Sequence, residues 1–146
     1  AQLVQRQLDA LFAPDGPIRL LKTSYSGIEG QCKQNIETLD AYVKGKRTFA
    51  SKKIRDGYVD HLEKSVTQLA NKITAGVGVL DTAKARVDAI MKLAKRSPLS
   101  EEHKARVKEA NAAIKESGKA LSKSQKACDK LAKAVSKNVP KIPEFA

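Results

Sequence analysis

The sequence predicts an all-α protein, an elongated antiparallel helical bundle with coiled-coil-like packing, built from a short N-terminal helix and three long helices. Three observations predict this class. Apolar residues repeat every seven positions through the middle of the chain, as in helices that pack along a shared seam. Aromatic residues make up only 4% of the chain, with no Trp, which suits seams of small aliphatic side chains. Proline and glycine gather mostly where helices should end. We therefore expect residues 1–146 to form a single helical-bundle domain.

The first two helices are separated by the break Pro14-Asp15-Gly16-Pro17, whose last residue suits the first position of a new helix. The first helix is predicted over about residues 2–12, and it packs through Leu8, Leu11 and Phe12 as a cap or as a fourth helix. The second is predicted over about residues 17–46. Its apolar line, at a spacing of three to four, is Ile18, Leu21, Tyr25, Ile28, Cys32, Leu39 and Tyr42, interrupted by Asn35. Gly27 and Gly30 weaken this helix and are candidate positions for a bend or a close helix contact.

The third helix, predicted over about residues 51–96, carries the clearest pattern. One seam position reads Val59, Val66, Ile73, Leu80, Val87 and Ala94, and the other reads Leu62, Leu69, Gly76, Ala83 and Ile90. This uninterrupted repeat predicts packing against neighbouring helices.

The fourth helix is predicted over about residues 101–137, with Ser100 as its N-cap. Its seam residues are Val107, Ile114, Leu121, Cys128 and Val135 in one line and Ala110, Ser117, Ser124 and Leu131 in the other. Residues 138–146 are predicted to be a non-helical tail, because they contain Pro140 and Pro143. Its Val139, Ile142 and Phe145 are expected to pack back on the bundle.

The two cysteines, Cys32 and Cys128, lie 96 positions apart but at the same height in the predicted bundle. Counting from the turns near Phe49 and near residue 97 places Cys32 beside Val66 and Cys128 beside Thr67. Both also lie on core-facing lines. We therefore predict a Cys32–Cys128 disulfide, which favours a secreted protein whose signal peptide has been removed. Two separate buried thiols are the alternative.

The net charge of +12 is concentrated in the last third of the chain, where residues 92–146 carry fourteen basic and six acidic residues. Seven of these lysines recur every three or four positions, opposite the seam of the fourth helix, over about 33 Å. We call them the lysine ridge: Lys115, Lys119, Lys123, Lys126, Lys130, Lys133 and Lys137. Few acids interrupt it, so it is a candidate contact for a polyanion or an acidic protein. An ordinary solvated helix face is the alternative interpretation.

No pattern indicates catalysis, a metal site or a cofactor. His61 and His103 are the only histidines, and neither has a second ligand at a familiar metal spacing. No nucleophile is paired with a base and an orienting group. We therefore expect a protein that is not an enzyme and that binds no cofactor or metal.

The expected function is that of a secreted, non-enzymatic binding protein, and a monomer is favoured. It would engage a protein partner, or a sulfated glycan, through its basic helical surface, for example as an inhibitor that modulates host immunity or haemostasis. The alternative is a structural coiled-coil component of a secretion or surface assembly. An amphipathic lipid carrier fits less well, because the seams are narrow and rich in Ala. Nucleic-acid binding also fits less well, because the ridge has no Arg or aromatic residue.

Overall fold

The computed structural model describes residues 2–143, and every regular element within them is helical. The elements are α1 (Gln2–Leu11), α2 (Pro17–Ser24), α3 (Ile28–Val43), α4 (Lys52–Ala94), α5 (Glu101–Asn138) and a 3-10 turn, η1 (Val139–Lys141). The all-α prediction is therefore confirmed, and seven of the eight predicted helix ends agree within two residues. Phe145, predicted to pack on the bundle, lies outside the described residues.

The second helix was predicted to be continuous over about residues 17–46, and this prediction is wrong. It is two helices, α2 and α3, separated at residues 25–27, where Gly27 has a φ of 77°. Only glycine adopts this left-handed conformation readily, and a residue in it interrupts the helical hydrogen-bond pattern. The helix also ends at Val43, earlier than predicted, because Gly45 has a φ of 75° just beyond it. Gly27, named as a candidate bend, is therefore a full break.

The tail is also more helical than predicted. Helix α5 continues through Asn138, and residues 139–141 form one 3-10 turn that contacts α3. Pro140 does not prevent this, because proline fits the first turn of a helix, where its missing N–H is not needed. Ile142 then buries its side chain, with 4% of its surface exposed, which agrees with its expected packing.

The chain divides into two compact units, each assembled from distant parts of the sequence. The first unit combines the residues up to Ser26 with Ile73–Ser122, so it contains α1, α2, the end of α4 and the start of α5. The second combines Gly27–Lys72 with the residues from Lys123 onward, so it contains α3, the start of α4, the end of α5 and η1. The single domain expected for residues 1–146 stays a prediction.

The core of the first unit follows the predicted seams. Its buried side chains come from α1, α2, α4 and α5 and include Leu8, Leu11, Leu21, Ile90 and Ala110, each fully buried. A Cβ built on Gly76 would lie near Leu121, and one built on Gly118 would lie near Leu80. Because the α5 partner moves backward as the α4 position moves forward, these two segments run antiparallel. Small residues let the two helices approach closely here.

The core of the second unit contains the cysteines. Its buried apolar side chains are Ile28, Cys32, Leu39, Leu62, Leu69, Cys128, Leu131, Val135 and Ile142. All of the predicted α5 seam residues are buried in one unit or the other, including Ser117 and Ser124. On α4, Val59, Val66 and Ala94 are only half-buried, and the other eight predicted seam residues are buried. The sequence pattern therefore identified the buried face of both long helices.

Candidate functional site

The lysine ridge lies on α5 as predicted, and all seven of its lysines are exposed. Lys115 and Lys119 belong to the first unit, and the other five belong to the second. At about 100° per residue, these five occupy an arc of about 80° on the helix and span about 21 Å of its length. Their centre is opposite the buried line through Cys128 and Leu131. The second unit therefore presents a continuous row of cations along one helix.

The ridge lysines have no ionic partner within the described part of the chain. The ion pairs there are Lys44–Asp40, Lys64–Asp60, Lys104–Glu101 and Arg106–Asp9. Asp129, the one acid within the second unit's stretch of α5, accepts a hydrogen bond from Gln125 Nε2 at 3.0 Å instead of pairing with a lysine. The positive charge of the ridge is therefore available to a partner.

A groove of about 560 Å³ lies beside this row, between α3 and α5. Cys32, Ile36 and Ala127 contribute its apolar lining, and Lys130 contributes a cation from the ridge. Glu29 and Glu37 also line it, together with Lys33. The flank of the ridge at Lys130 therefore carries both signs of charge. The sequence predicted that Cys32 and Cys128 lie near each other, but it did not reveal the groove, because a groove depends on how side chains of both helices pack.

The two cysteines meet in the core of the second unit. Their Sγ atoms are 3.9 Å apart, with Cys32 donating to Cys128, and both thiols are free and buried. The predicted juxtaposition is present, but the disulfide itself is not confirmed. Burial, reinforced by the neighbouring Cys128, raises the pKa of the Cys32 thiol to about 12. Burial also raises the pKa of Cys128, although the hydrogen bond from Cys32 opposes this. The thiols are therefore poor nucleophiles in the folded protein.

The histidines take part in ordinary surface structure. His61 is exposed on α4. His103 Nε2 lies 2.8 Å from Gln5 Oε1 and so helps to hold α1 against α5 in the first unit. Residues 2–143 contain no group of three or more His, Cys, Asp or Glu side chains placed to hold a metal ion.

A second basic region, which the heptad pattern did not identify, spans the turn between α3 and α4 and the first turn of α4. We call it the basic turn, residues 44–54. It contains Lys44, Lys46, Arg47, Lys52 and Lys53 and no acidic residue. This run of charge is readable in the sequence without any structure.

No protein family, curated protein or solved structure matches this chain. Within residues 2–143, the helices lack the combination of length and apolar composition that crossing a bilayer requires.

Proposed function

We propose that this chain is a non-enzymatic, secreted binding protein that engages an acidic partner through the lysine ridge. The observation that carries the proposal is the row of exposed lysines on α5 that have no ionic partner among residues 2–143. Cations that are held in a row on a stiff helix attract a complementary anionic surface and accelerate its association. The partner would then be blocked sterically by the helices behind the ridge.

An acidic protein fits the ridge better than a uniform polyanion does. A sulfated glycan carries one sign of charge, so it gains from the lysines but is repelled by Glu29 and Glu37 where it reaches the groove beside Lys130. A protein can place acids on the ridge and a basic or apolar side chain in the groove. We therefore favour an acidic protein as the partner and keep a sulfated glycan as the alternative ligand.

Location outside the cell is supported by the cysteine pair. Two buried thiols that touch across 96 positions are arranged so that one oxidation during folding would join α3 to α5. Such bonds persist in oxidising compartments. We therefore propose that Cys32 and Cys128 form a disulfide in the secreted protein.

The ridge is tested by reversing its five lysines in the second unit to Glu. A control variant reverses five exposed lysines of the first unit, Lys22, Lys84, Lys92, Lys95 and Lys108, so that both variants have the same net charge. Binding to an acidic polypeptide, polyglutamate, and to heparin is measured over a range of salt concentrations.

The ridge variant should lose at least about tenfold in affinity, about 1.4 kcal/mol, and most of its salt dependence. The control variant should lose much less. Circular dichroism checks that α5 still forms. A variant with the same five lysines changed to Gln distinguishes the loss of cations from repulsion by the new acids. Equal losses in the ridge and control variants would show that net charge alone attracts the ligand, and the ridge proposal would be wrong.

A further inference from the structure

The basic turn is a second charged surface of the second unit, separate from the lysine ridge. Residues 44–54 have a net charge of +5, with five cations and no acid. Lys44 is paired with Asp40 at 2.8 Å. The other four cations, Lys46, Arg47, Lys52 and Lys53, are exposed and have no ionic partner among residues 2–143. Four unpaired cations are therefore concentrated within eight consecutive positions.

The turn is held in shape by aromatic contacts. The rings of Tyr42 and Phe49 stack with centroids 4.0 Å apart and planes 8° from parallel. Tyr58 closes the cluster at 4.9 Å from Tyr42 and 5.4 Å from Phe49. The guanidinium of Arg47 lies over the Tyr42 ring, with Cζ 5.0 Å from the ring centroid, and this cation–π contact holds it beside the aromatic cluster.

Backbone hydrogen bonds and a helix cap order the turn at both of its ends. Gly45 ends α3 with its positive φ, and Lys46 N donates to Ala41 O at 2.9 Å. At the other end, Ser51 Oγ accepts a hydrogen bond from Ile54 N at 3.2 Å and caps α4. The cations therefore project from an ordered turn, so a ligand that binds them does not have to order the chain first.

An apolar side chain is exposed next to two of these cations. Ile54 has 55% of its surface exposed, directly after Lys52 and Lys53 in the first turn of α4. Four other large apolar residues are exposed, Leu3, Leu20, Val77 and Met91, and all of them belong to the first unit. Within the described part of the second unit, Ile54 is therefore the one large apolar residue with this degree of exposure.

We propose that the basic turn docks peripherally on an anionic phospholipid bilayer. The four unpaired cations would lie over the lipid headgroups, and Ile54 would enter the boundary between headgroups and acyl chains. Both kinds of side chain gain from such a surface, since basic residues are attracted by its negative potential and apolar side chains by its interior. A sulfated glycan would use the cations and leave Ile54 in water, so the exposed isoleucine favours the bilayer.

The test is sedimentation of the full chain with large vesicles of phosphatidylcholine, prepared with and without phosphatidylserine. The turn variant changes Lys46, Arg47, Lys52 and Lys53 to Gln, and its control changes Lys22, Lys84, Lys92 and Lys95 to Gln, which removes the same charge from the first unit. Ile54→Ser is compared with Met91→Ser, which alters another α4 residue that is 44% exposed. All of these side chains are exposed, and circular dichroism confirms that each variant folds.

The wild type should bind vesicles only when they contain phosphatidylserine, and binding should weaken as salt rises. The turn variant should lose at least tenfold in partition coefficient, Ile54→Ser should lose severalfold, and both controls should stay within twofold of wild type. Equal binding to both kinds of vesicle, or binding to neither, would overturn the proposal. So would heparin binding that depends on the four cations while Ile54→Ser leaves vesicle binding unchanged, because that result identifies a glycan surface. Because the lysine ridge is intact in every variant, these outcomes are independent of the function proposed for it.

Discussion

Gly76 and Gly78 lie two residues apart on α4, yet a side chain would have opposite effects at the two positions. A Cβ at Gly76 would lie 2.7 Å from Leu121 Cδ2 and 3.1 Å from the side chain of Ser24, whereas a Cβ at Gly78 would meet nothing within 4 Å. The first glycine permits a close helix contact, and the second only lowers the helix propensity.

We therefore predict opposite changes in the free energy of unfolding. Gly76→Ala should destabilise the protein by about 1–3 kcal/mol, because the buried Leu121 and Ser24 must move. Gly78→Ala should stabilise it by about 0.5–1 kcal/mol through helix propensity. Urea unfolding followed by circular dichroism measures both. Stabilisation by Gly76→Ala would show that the contact is looser than described.

The heptad pattern already placed Gly76 on the seam, so its burial could be predicted from the sequence. What it touches could not be predicted, because Ser24 lies off the predicted apolar line of its helix and meets Gly76 through a tertiary contact. The lysine ridge is the converse case. Its exposure follows from spacing along one helix, whereas the acids beside Lys130 depend on how α3 lies against α5.

At the scale of elements, α1 is a full part of the core of the first unit. Val4, Leu8 and Leu11 are buried, and two polar contacts hold the helix to α5, one from His103 to Gln5 and one from Arg106 to Asp9 at 2.9 Å. Arg106 also lies over the ring of Phe12 at 5.2 Å. The helix is too short to be stable alone in water, so these contacts maintain it.

Truncating a side chain on the buried face of α1 should therefore lower the stability of the protein far more than truncating one on its exposed face. Leu8→Ala, at a site with 0% exposure, should cost about 2–5 kcal/mol in unfolding free energy. Leu3→Ala, at a site with 53% exposure, should change it by less than about 0.5 kcal/mol. Thermal unfolding measures both. A small effect of Leu8→Ala would mean that α1 is detached in solution.

Helix number and break points differ in how well the sequence predicts them. Long apolar repeats identified α4 and α5 within two residues, because burial on one face must recur at helical spacing. The break between α2 and α3 was not predicted, since the apolar line continues across it from Leu21 to Ile28. A glycine in a helical sequence pattern indicates only a weak point of the helix. Whether it takes a positive φ and breaks the helix, as Gly27 does, depends on tertiary contacts.

At the scale of the whole molecule, the cysteine pair would link parts of the chain that are far apart in sequence. A Cys32–Cys128 bond would close a loop of nearly a hundred residues, worth up to about 4–5 kcal/mol by the chain-entropy account. Formation would require a disulfide oxidant: two thiols lose two protons and two electrons, and the oxidant is reduced to two thiols.

Alkylation followed by mass measurement tests this bond in protein from an oxidising source. We expect no label on the unfolded protein before reduction and two labels after it, at monomer mass throughout. Two labels on unreduced protein would establish free thiols and contradict the proposal that the protein is secreted.

The reduced protein should also lose stability at high pH. In the folded state the Cys32 pKa is raised from 9.0 to about 12, so folding keeps a proton that the unfolded chain releases. The resulting stability is fully present below pH 9 and is lost as pH rises toward 12. Unfolding of oxidised and reduced protein across this range isolates the effect, because the oxidised form has no thiol to titrate. Parallel pH curves for the two forms would contradict it.

The aromatic cluster beside the basic turn has a practical consequence for spectroscopy. The chain has three tyrosines and no tryptophan, and two of the tyrosines, Tyr42 and Tyr58, belong to this cluster. Intrinsic emission on excitation near the tyrosine band therefore comes largely from one small region of the protein. Replacing Tyr25, the third tyrosine, would confine it there. The protein thus contains a built-in optical probe of the turn, which needs no attached dye and lies next to the residues whose binding is in question.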